Sequence, residues 1–388
     1  MKLIRINRTN FIFFLGLLLI DVKFTLGYMS SSIGELPDLM DNVILIIAIM
    51  LFLICIICKY KPEYIIGIIL ITILLYANFI ITNSPVIITL FVTIFASKNI
   101  SYKKIFGFQL KFYVTILLIV IFIYVIKMSH SSIDVTYYRI IGQTKIARYS
   151  FFFNQPNMFS MLVFYTSLLY FYLRYDKCKK RWLYLNLVIV GFAVYYFPNT
   201  QTVTLLFAVL ILLDVMNGYL KKHTIEIIYI SIYWAILLCS MLFVFLWIYM
   251  PNNSLVNVIN KATSGRIFLW ATALKEYGMK FMGNNLLSPL TNQYDYLVID
   301  NAYWSLVIIY GISISIIIIY IYGLTLRKIG NDKKSILVFI VMLIYGFTEA
   351  PGALNIWAAF PLFFIRESIN KRCSNDITIS ERVSNANA

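Results

Sequence analysis

Long apolar runs recur along this sequence and constrain its fold more than any other feature. A helix needs about 20 consecutive apolar residues to cross the hydrocarbon core of a bilayer, and runs near this length follow one another from residue 11 to residue 366. Only 13% of the 388 residues are charged, against roughly a quarter in soluble domains. The runs also lack the apolar-polar alternation of membrane barrel strands. We therefore predict an all-α, polytopic integral membrane protein.

Twelve apolar runs are long enough to be considered as transmembrane helices. The first follows three basic residues, but Asp21 and Lys23 interrupt any cleavage region, so we interpret it as a span and not as a signal peptide. The fourth, eleventh and twelfth are short, and tilted, re-entrant or merged segments remain alternatives for them. The predicted spans lie near residues 11–28, 42–58, 64–81, 84–97, 110–127, 155–173, 181–197, 202–217, 225–249, 301–326, 336–349 and 352–366.

Lysine and arginine favour one side of this arrangement. With both termini in the cytoplasm, most of the 33 basic residues fall in cytoplasmic segments, as the positive-inside rule requires. This bias explains the net charge of +16 without a nucleic-acid partner. We predict one membrane domain over 1–373, with long extracytoplasmic loops near 128–154 and 251–300, followed by a polar, disordered cytoplasmic tail over 374–388.

The basic residues left on the extracytoplasmic side are candidates for ligand binding. Arg139 and Arg148 lie in the first long loop, and Arg266 lies in the second. A guanidinium group is always charged and presents a planar fork of donors that matches phosphate oxygens. Arginines beside a lipid surface therefore favour a phosphorylated ligand, with headgroup contacts or a loop ion pair as the alternative. No Asp-x-Asp pair, phosphate loop or His/Cys cluster occurs, so no metal and no cofactor is predicted.

The segment after Gly265 and Arg266 has the pattern of a short amphipathic helix. Ile267, Trp270 and Leu274 recur at helical spacing, which predicts a helix lying on the membrane, with packing inside the protein as the alternative. The start of such a helix would direct backbone donors towards an anion. Trp270 is interpreted as an interfacial anchor or a platform for a sugar.

Several acidic residues occupy positions of interest at the predicted helix ends. Asp300-Asn301 begins the tenth span, where helix capping is the default explanation. Glu349, at the end of the eleventh span, is costly there and indicates a cavity or a charged partner. Asp21 and Lys23 are expected to pair with each other or with another helix, and Asp214 is expected to be solvated.

Three motifs give the sequence a resemblance to a known family. Residues 147–165, ARYSFFFNQPNMFSMLVFY, resemble a signature of bacterial O-antigen and capsular polysaccharide polymerases. SGRIFLWATAL, from residue 264, and DNAYWSLVIIYG, residues 300–311, resemble the Gly-Arg and Asp-Asn patterns of the superfamily that unites these polymerases with the O-antigen ligases. Order and spacing agree over residues 140–320.

This resemblance implies an inverting, metal-independent glycosyl transfer at the outer face of the bacterial inner or plasma membrane. Donor and acceptor would be oligosaccharide repeats and growing polymer on undecaprenyl diphosphate, and a chain-length regulator and a flippase would be partners. Arg148 and Arg266 would then face each other across a cavity. The resemblance and the residue patterns together identify two sets of candidates. The catalytic candidates are Arg266, Arg148, Asp300 and Glu349, and the substrate-binding candidates are Arg139, Asn157, Gly265, Trp270 and Asn301.

Two departures from the family pattern shape this interpretation. The ligases use a histidine in the large loop, and residues 251–300 contain none, which favours a polymerase over a ligase. A flippase or other transporter is the third alternative; it is disfavoured because most spans lack charges in their middle parts and the polar residues gather outside. Asn199-Thr200 stands where family members carry Ser-Arg. The general base is left open among Glu276, Asp300, Glu349 and His130.

Overall fold

A computed structural model describes most of the chain. The described residues are 2–29, 38–130, 137–141, 144–220, 222–263, 265–285, 299–329 and 332–349. The predicted twelfth span and the predicted tail at 374–388 lie outside them.

A helix lies over each of the first eleven predicted spans. The helices of the described chain are α1 (Lys2–Gly27), α2 (Asp38–Lys59), α3 (Pro62–Thr82), α4 (Val86–Ala96), α5 (Tyr102–His130), α6 (Pro156–Arg174), α7 (Lys180–Tyr196), α8 (Gln201–Tyr219), α9 (Lys222–Tyr249), α10 (Ser254–Ala262), α11 (Arg266–Tyr277), α12 (Ala302–Ser305), α13 (Gly311–Ile329) and α14 (Lys333–Thr348). A π-helical turn, Leu306–Tyr310, joins α12 to α13.

Seven helical segments in the described chain are long and apolar enough to cross a membrane. They are Arg8–Gly27, Met40–Lys59, Pro62–Thr82, Tyr102–Ser129, Gln201–Tyr219, Thr224–Tyr249 and Ala302–Ile329. The prediction of a helical protein is thereby confirmed, and the length and composition of these helices are compatible with a multi-pass membrane protein. The count of twelve spans stays a prediction.

The chain divides into two compact units. The described residues up to 73, with 88–216, form the first unit, and residues 74–87 with 217–349 form the second. Arg148 belongs to the first unit, whereas Arg266, Asp300 and Glu349 belong to the second. Each unit is described by itself below.

In the first unit, Asp21 and Lys23 near the end of α1 pair with two different helices. Lys23 forms an ion pair with Asp41 of α2, with 2.5 Å between Nζ and Oδ2. Asp21 is fully buried and accepts a hydrogen bond from the hydroxyl of Tyr113 on α5 at 2.8 Å. Of the two expected pairings, partners on other helices are therefore the ones observed, and they provide partners for buried polar groups that would otherwise be costly.

Asp214, near the end of α8, is also buried, so the expectation that it is solvated is wrong. Its carboxylate accepts hydrogen bonds from Tyr175 at 2.5 Å and Tyr184 at 2.8 Å, and it pairs with Lys180 at 2.6 Å. Three donors from neighbouring segments replace the water that a carboxylate at a helix end usually finds.

A β-hairpin, not predicted from the sequence, lies in the first long loop. Strands β1 (Tyr137–Ile141) and β2 (Thr144–Arg148) pair antiparallel, with Tyr137 opposite Arg148 and Arg139 opposite Ile146. The signal for it is Gly142 between two short runs rich in β-branched and aromatic residues, which is typical of a hairpin. The strand ends at Arg148 and so fixes the backbone of one predicted catalytic residue.

In the second unit, the long helical segment after Asn301 is broken at Gly311. This glycine has φ +90°, so it does not continue the helix that precedes it. The break frees backbone carbonyls that water cannot reach within a bilayer. Asn78 of α3 donates to the carbonyl of Tyr310 at 2.8 Å, and Asn284 donates to that of Ile308 at 2.8 Å.

The segment after α11 packs directly against this break. The amide of Ile312 donates to the carbonyl of Lys280 at 3.1 Å, and that of Ser313 donates to the carbonyl of Phe281 at 3.2 Å. The close approach depends on Gly283 and Gly311, because a Cβ on either would overlap backbone atoms of the other segment. Part of the second long loop is thus held against α13 by backbone hydrogen bonds.

We expect Gly311→Ala to destabilise the protein. A side chain there would collide with Gly283 and adopt an unfavourable positive φ, at a cost of at least about 1 kcal/mol. Thermal unfolding of the detergent-purified protein measures the effect. Gly323→Ala, on the same helix with its nearest neighbouring atom at 3.8 Å, is the matched control and should be neutral or slightly stabilising. Equal melting temperatures for the two variants would contradict the assigned packing.

Candidate functional site

The turn between α10 and α11 places Arg266 at the first position of α11. Gly265 adopts φ +79°, a left-handed conformation that favours glycine. Asn260 holds both sides of the turn, since its carbonyl accepts from the amide of Gly265 at 2.7 Å and its side chain accepts from the amide of Phe268 at 3.1 Å. The predicted substrate-binding residue Gly265 therefore shapes the backbone that carries Arg266.

The apolar face of α11 packs inside the protein. Ile267, Trp270 and Ala271 are buried in a core cluster with Val244 and Trp304. The predicted helix on the membrane surface is thus wrong for α11, and the packing alternative holds. Spacing alone could not decide this, because an apolar stripe suits a membrane and a protein core equally.

Trp270 is completely buried, and its ring lies edge-on to Phe347 with 5.8 Å between centroids. Its indole nitrogen has no hydrogen-bond partner in the described part of the chain. In this arrangement the ring offers no face to a sugar and no edge to lipid headgroups. Its predicted role in substrate binding stays a prediction.

Three of the four predicted catalytic residues meet around the guanidinium of Arg266. Its Nε lies 3.3 Å from Oδ2 of Asp300, and its Nη2 lies 3.1 Å from Oε1 of Glu349. Its Nη1 donates to the backbone carbonyl of Thr348. We call Arg266, Asp300 and Glu349 the Arg266 cluster; it joins the start of α11, the chain two residues before α12 and the end of α14.

Asn301 fixes the backbone of this cluster. Its side-chain oxygen accepts from the amides of Tyr303 at 2.9 Å and Trp304 at 3.1 Å, which is the capping role expected by default. Its side-chain nitrogen donates to the carbonyl of Phe347 at 3.0 Å. Asn301 is fully buried and so ties the start of α12 to the end of α14, beside Asp300 and Glu349. Its predicted contact with substrate is untested.

The electrostatics of the cluster keep the arginine charged. Burial lowers the pKa of Arg266, but the carboxylates of Glu349 and Asp300 outweigh this effect and raise it. Burial raises the pKa of Asp300 above its usual range, against the opposing charge of Arg266. A guanidinium has five N–H donors on three nitrogens, and each of the three nitrogens of Arg266 has one contact within the described residues. Its predicted contact with a diphosphate would have to use the donors that remain.

A second constellation surrounds Arg148 in the first unit. Its Nη2 donates to Oδ1 of Asn157 at 2.7 Å, and its Nε donates to the carbonyl of Pro198 at 3.0 Å. Arg148 and Asn157 were both predicted as site residues, and the structure brings them together. The residue that accepts from Nε, Pro198, lies immediately before Asn199-Thr200, where the sequence departs from the pattern of the resemblance. The predicted pairing of Arg148 with Arg266 stays a prediction.

Sequence reasoning missed the amides that support the second loop. Asn78 and Asn284 bind the carbonyls of the broken helix, and they also donate to the carbonyls of Met282 and Gly278 in the segment directly after α11. Asn78 could have been found, because a polar side chain within the apolar α3 segment is costly unless it has a partner. Asn284 carries no such signal in a polar loop.

Comparison with known proteins returned no match: no family model, no curated protein and no solved structure matches this sequence. The functional interpretation therefore depends on the three motifs and on the contacts of the Arg266 cluster.

We expect Arg266 and Glu349 to be strongly coupled in stability. Arg266→Ala removes the guanidinium that pairs with a carboxylate only 9% exposed, so the single variant should be destabilised by more than the hydrogen bond itself contributes. Adding Glu349→Gln should recover part of the loss. A double-mutant cycle on thermal unfolding should give a coupling of about 1.5–3 kcal/mol. Additive effects would show that the ion pair does not form.

Proposed function

We propose that this protein is a polysaccharide polymerase. It joins oligosaccharide repeats carried on undecaprenyl diphosphate at the outer face of the bacterial inner or plasma membrane, to make O-antigen, capsule or exopolysaccharide. The observation that carries the proposal is the Arg266 cluster. Arg266 and Asp300 belong to two motifs of the polymerase resemblance that are more than thirty residues apart, yet they form an ion pair together with Glu349.

The proposed reaction suits a protein of this composition. A hydroxyl of one lipid-linked repeat attacks the anomeric carbon of the other, and the diphosphate leaves with the electron pair of the broken bond. The bond to the diphosphate supplies the driving force, so the reaction requires no nucleotide. Arg266 directs its remaining donors towards the charge that develops on the departing diphosphate, an interaction that strengthens in the transition state.

The proposal includes a topology. Twelve spans place both termini in the cytoplasm and both long loops outside, as the distribution of lysine and arginine indicates. The Arg266 cluster then lies at the outer face, where lipid-linked repeats arrive from a flippase and where a chain-length regulator acts on the polymer.

A transporter is the alternative from another class, and the broken helix at Gly311 is the feature to weigh for it. Transporters use unwound segments to bind substrate with free backbone groups. Here the carbonyls of Ile308 and Tyr310 accept from Asn284 and Asn78, and the adjoining loop occupies the amides that follow. These hydrogen bonds favour a structural role for the broken helix over substrate binding.

Deletion of the gene in its own host separates the candidate functions. We expect export of single repeat units, because a polymerase mutant still flips them but cannot join them. A ligase mutant would instead accumulate lipid-linked polymer, and a flippase mutant would retain repeats inside the cell. Electrophoresis of surface glycan, with fractionated lipid-linked glycans, distinguishes the three outcomes, and either of the latter two would refute the polymerase.

Arg266→Ala should stop chain growth while the protein still inserts in the membrane. Arg266→Lys should restore it partly at best, because an ammonium cannot reproduce the planar donors that bind two carboxylates and a carbonyl. Glycan length is compared at equal protein abundance. Lys275→Ala, an exposed basic residue on the same helix, is the matched control and should retain full-length polymer. Long-chain glycan from the Ala variant would refute the role of Arg266.

A further inference from the structure

We propose that Asp300 is the general base that takes the proton from the acceptor hydroxyl, and that Glu349 holds Arg266 and takes no proton. This inference rests on the polymerase function proposed above and assigns one step of it. The sequence left four candidates open, and the contacts of the second unit separate the three that belong to it, Asp300, Glu349 and Glu276.

Among the contacts of the described residues, one oxygen of Asp300 is held by Arg266 and the other has no partner. Its Oδ2 lies 3.3 Å from Nε of Arg266, which fixes the orientation of the carboxylate. Its Oδ1 accepts no hydrogen bond within the described part of the chain, and 23% of the side chain is exposed. A general base needs this combination, because it must be oriented by the protein and still be able to reach the proton.

Glu349 is placed differently. Its side chain is only 9% exposed and accepts from Nη2 of Arg266 at 3.1 Å. The preceding residue, Thr348, offers its backbone carbonyl to Nη1 of the same guanidinium. Two neighbouring groups at the end of α14 thus hold one edge of Arg266 and leave Nε for Asp300. Glu349 is therefore a positioning residue.

Glu276 does not reach the cluster. It lies on α11, ten residues after Arg266, and is exposed. An α-helix rises by about 1.5 Å per residue, so the two residues are about 15 Å apart along the helix axis. The side chain of His130 lies outside the described residues.

The electrostatics of Asp300 suit a base. Because burial raises its pKa more than Arg266 lowers it, Asp300 holds a proton more tightly than an exposed aspartate. Proton transfer also changes the charge of the cluster. With both carboxylates ionised the cluster carries one net negative charge, and protonation of Asp300 removes it while negative charge develops on the diphosphate. Arg266 then has a single anionic partner and interacts more favourably with the leaving group.

The proposed step is balanced. The hydroxyl oxygen forms the new bond to the anomeric carbon, and its proton passes to Oδ1 of Asp300. The bond from that carbon to the diphosphate oxygen breaks, and the diphosphate leaves with the electron pair. Asp300 then releases its proton to water, which restores the carboxylate for the next addition.

The test uses the full-length protein in proteoliposomes with lipid-linked repeats purified from the deletion strain. In a single turnover, Asp300→Asn should lower the rate of joining by at least about 100-fold, the range of general base catalysis, while binding of the lipid-linked repeat, measured by photo-crosslinking, stays unchanged. Formate should partly restore the rate of Asp300→Ala by acting as a small external carboxylate. Glu276→Gln should keep the wild-type rate.

The pH dependence of the joining rate distinguishes a general base from a residue that only maintains the structure. The rate should fall as the pH decreases through the pKa of Asp300, because the protonated form cannot accept a proton. Asp300→Glu should shift this acidic limb. Glu349→Gln should lower the melting temperature and the rate but retain the limb, since Asp300 is still present.

The outcomes separate this inference from the function on which it rests. A wild-type protein that joins no repeats refutes the polymerase and the base together. If the wild-type protein is active, a normal rate for Asp300→Asn, loss of the limb in Glu349→Gln, or inactivity of Glu276→Gln each overturns the assignment of Asp300 and leaves the polymerase standing.

Discussion

The second unit depends on the requirement that a buried guanidinium be both hydrogen-bonded and balanced in charge. Arg266 meets this requirement with Asp300, Glu349 and the carbonyl of Thr348. These partners come from segments that are far apart in the sequence, so satisfying one side chain brings three helix ends together. An isolated charge of this kind would cost several kcal/mol in a protein interior. The same contacts that stabilise the unit thus assemble the residues to which we assign the chemistry.

Unsatisfied backbone groups impose a second constraint. The helical segment that follows Asp300 is interrupted by a π-helical turn and by Gly311, and its freed carbonyls accept from Asn78 and Asn284. Backbone hydrogen bonds from Ile312 and Ser313 then hold the chain after α11. The break and the loop therefore stabilise each other. Asn301 ties α12 to α14 at the start of the same segment. The segment that directly follows Asp300 is therefore held both at its start and at its break.

Much of the fold was predictable because hydropathy acts locally. Each of the first eleven predicted spans contains a helix, since an apolar run of this length has few alternatives in a bilayer. The hairpin at Tyr137–Arg148 was missed because its signal spans only a few residues. The apolar face of α11 was predicted to contact the membrane but packs in the protein core, because an apolar stripe does not specify its partner. Of the candidate site, the residue types could be chosen one by one, but the contacts among them depend on long-range packing.

The sequence by itself determined a helical membrane protein, and it identified Arg266, Asp300 and Glu349 as separate candidates, because charges are costly and therefore rare in such a chain. Only the tertiary structure decided that these three residues form one cluster, that Asn301 serves as a clamp and that Trp270 is part of the core. The physical reason is that hydropathy and helix capping depend on neighbours in sequence. Pairing of a buried charge depends on which distant segments can approach it, and that is settled only when the helices pack.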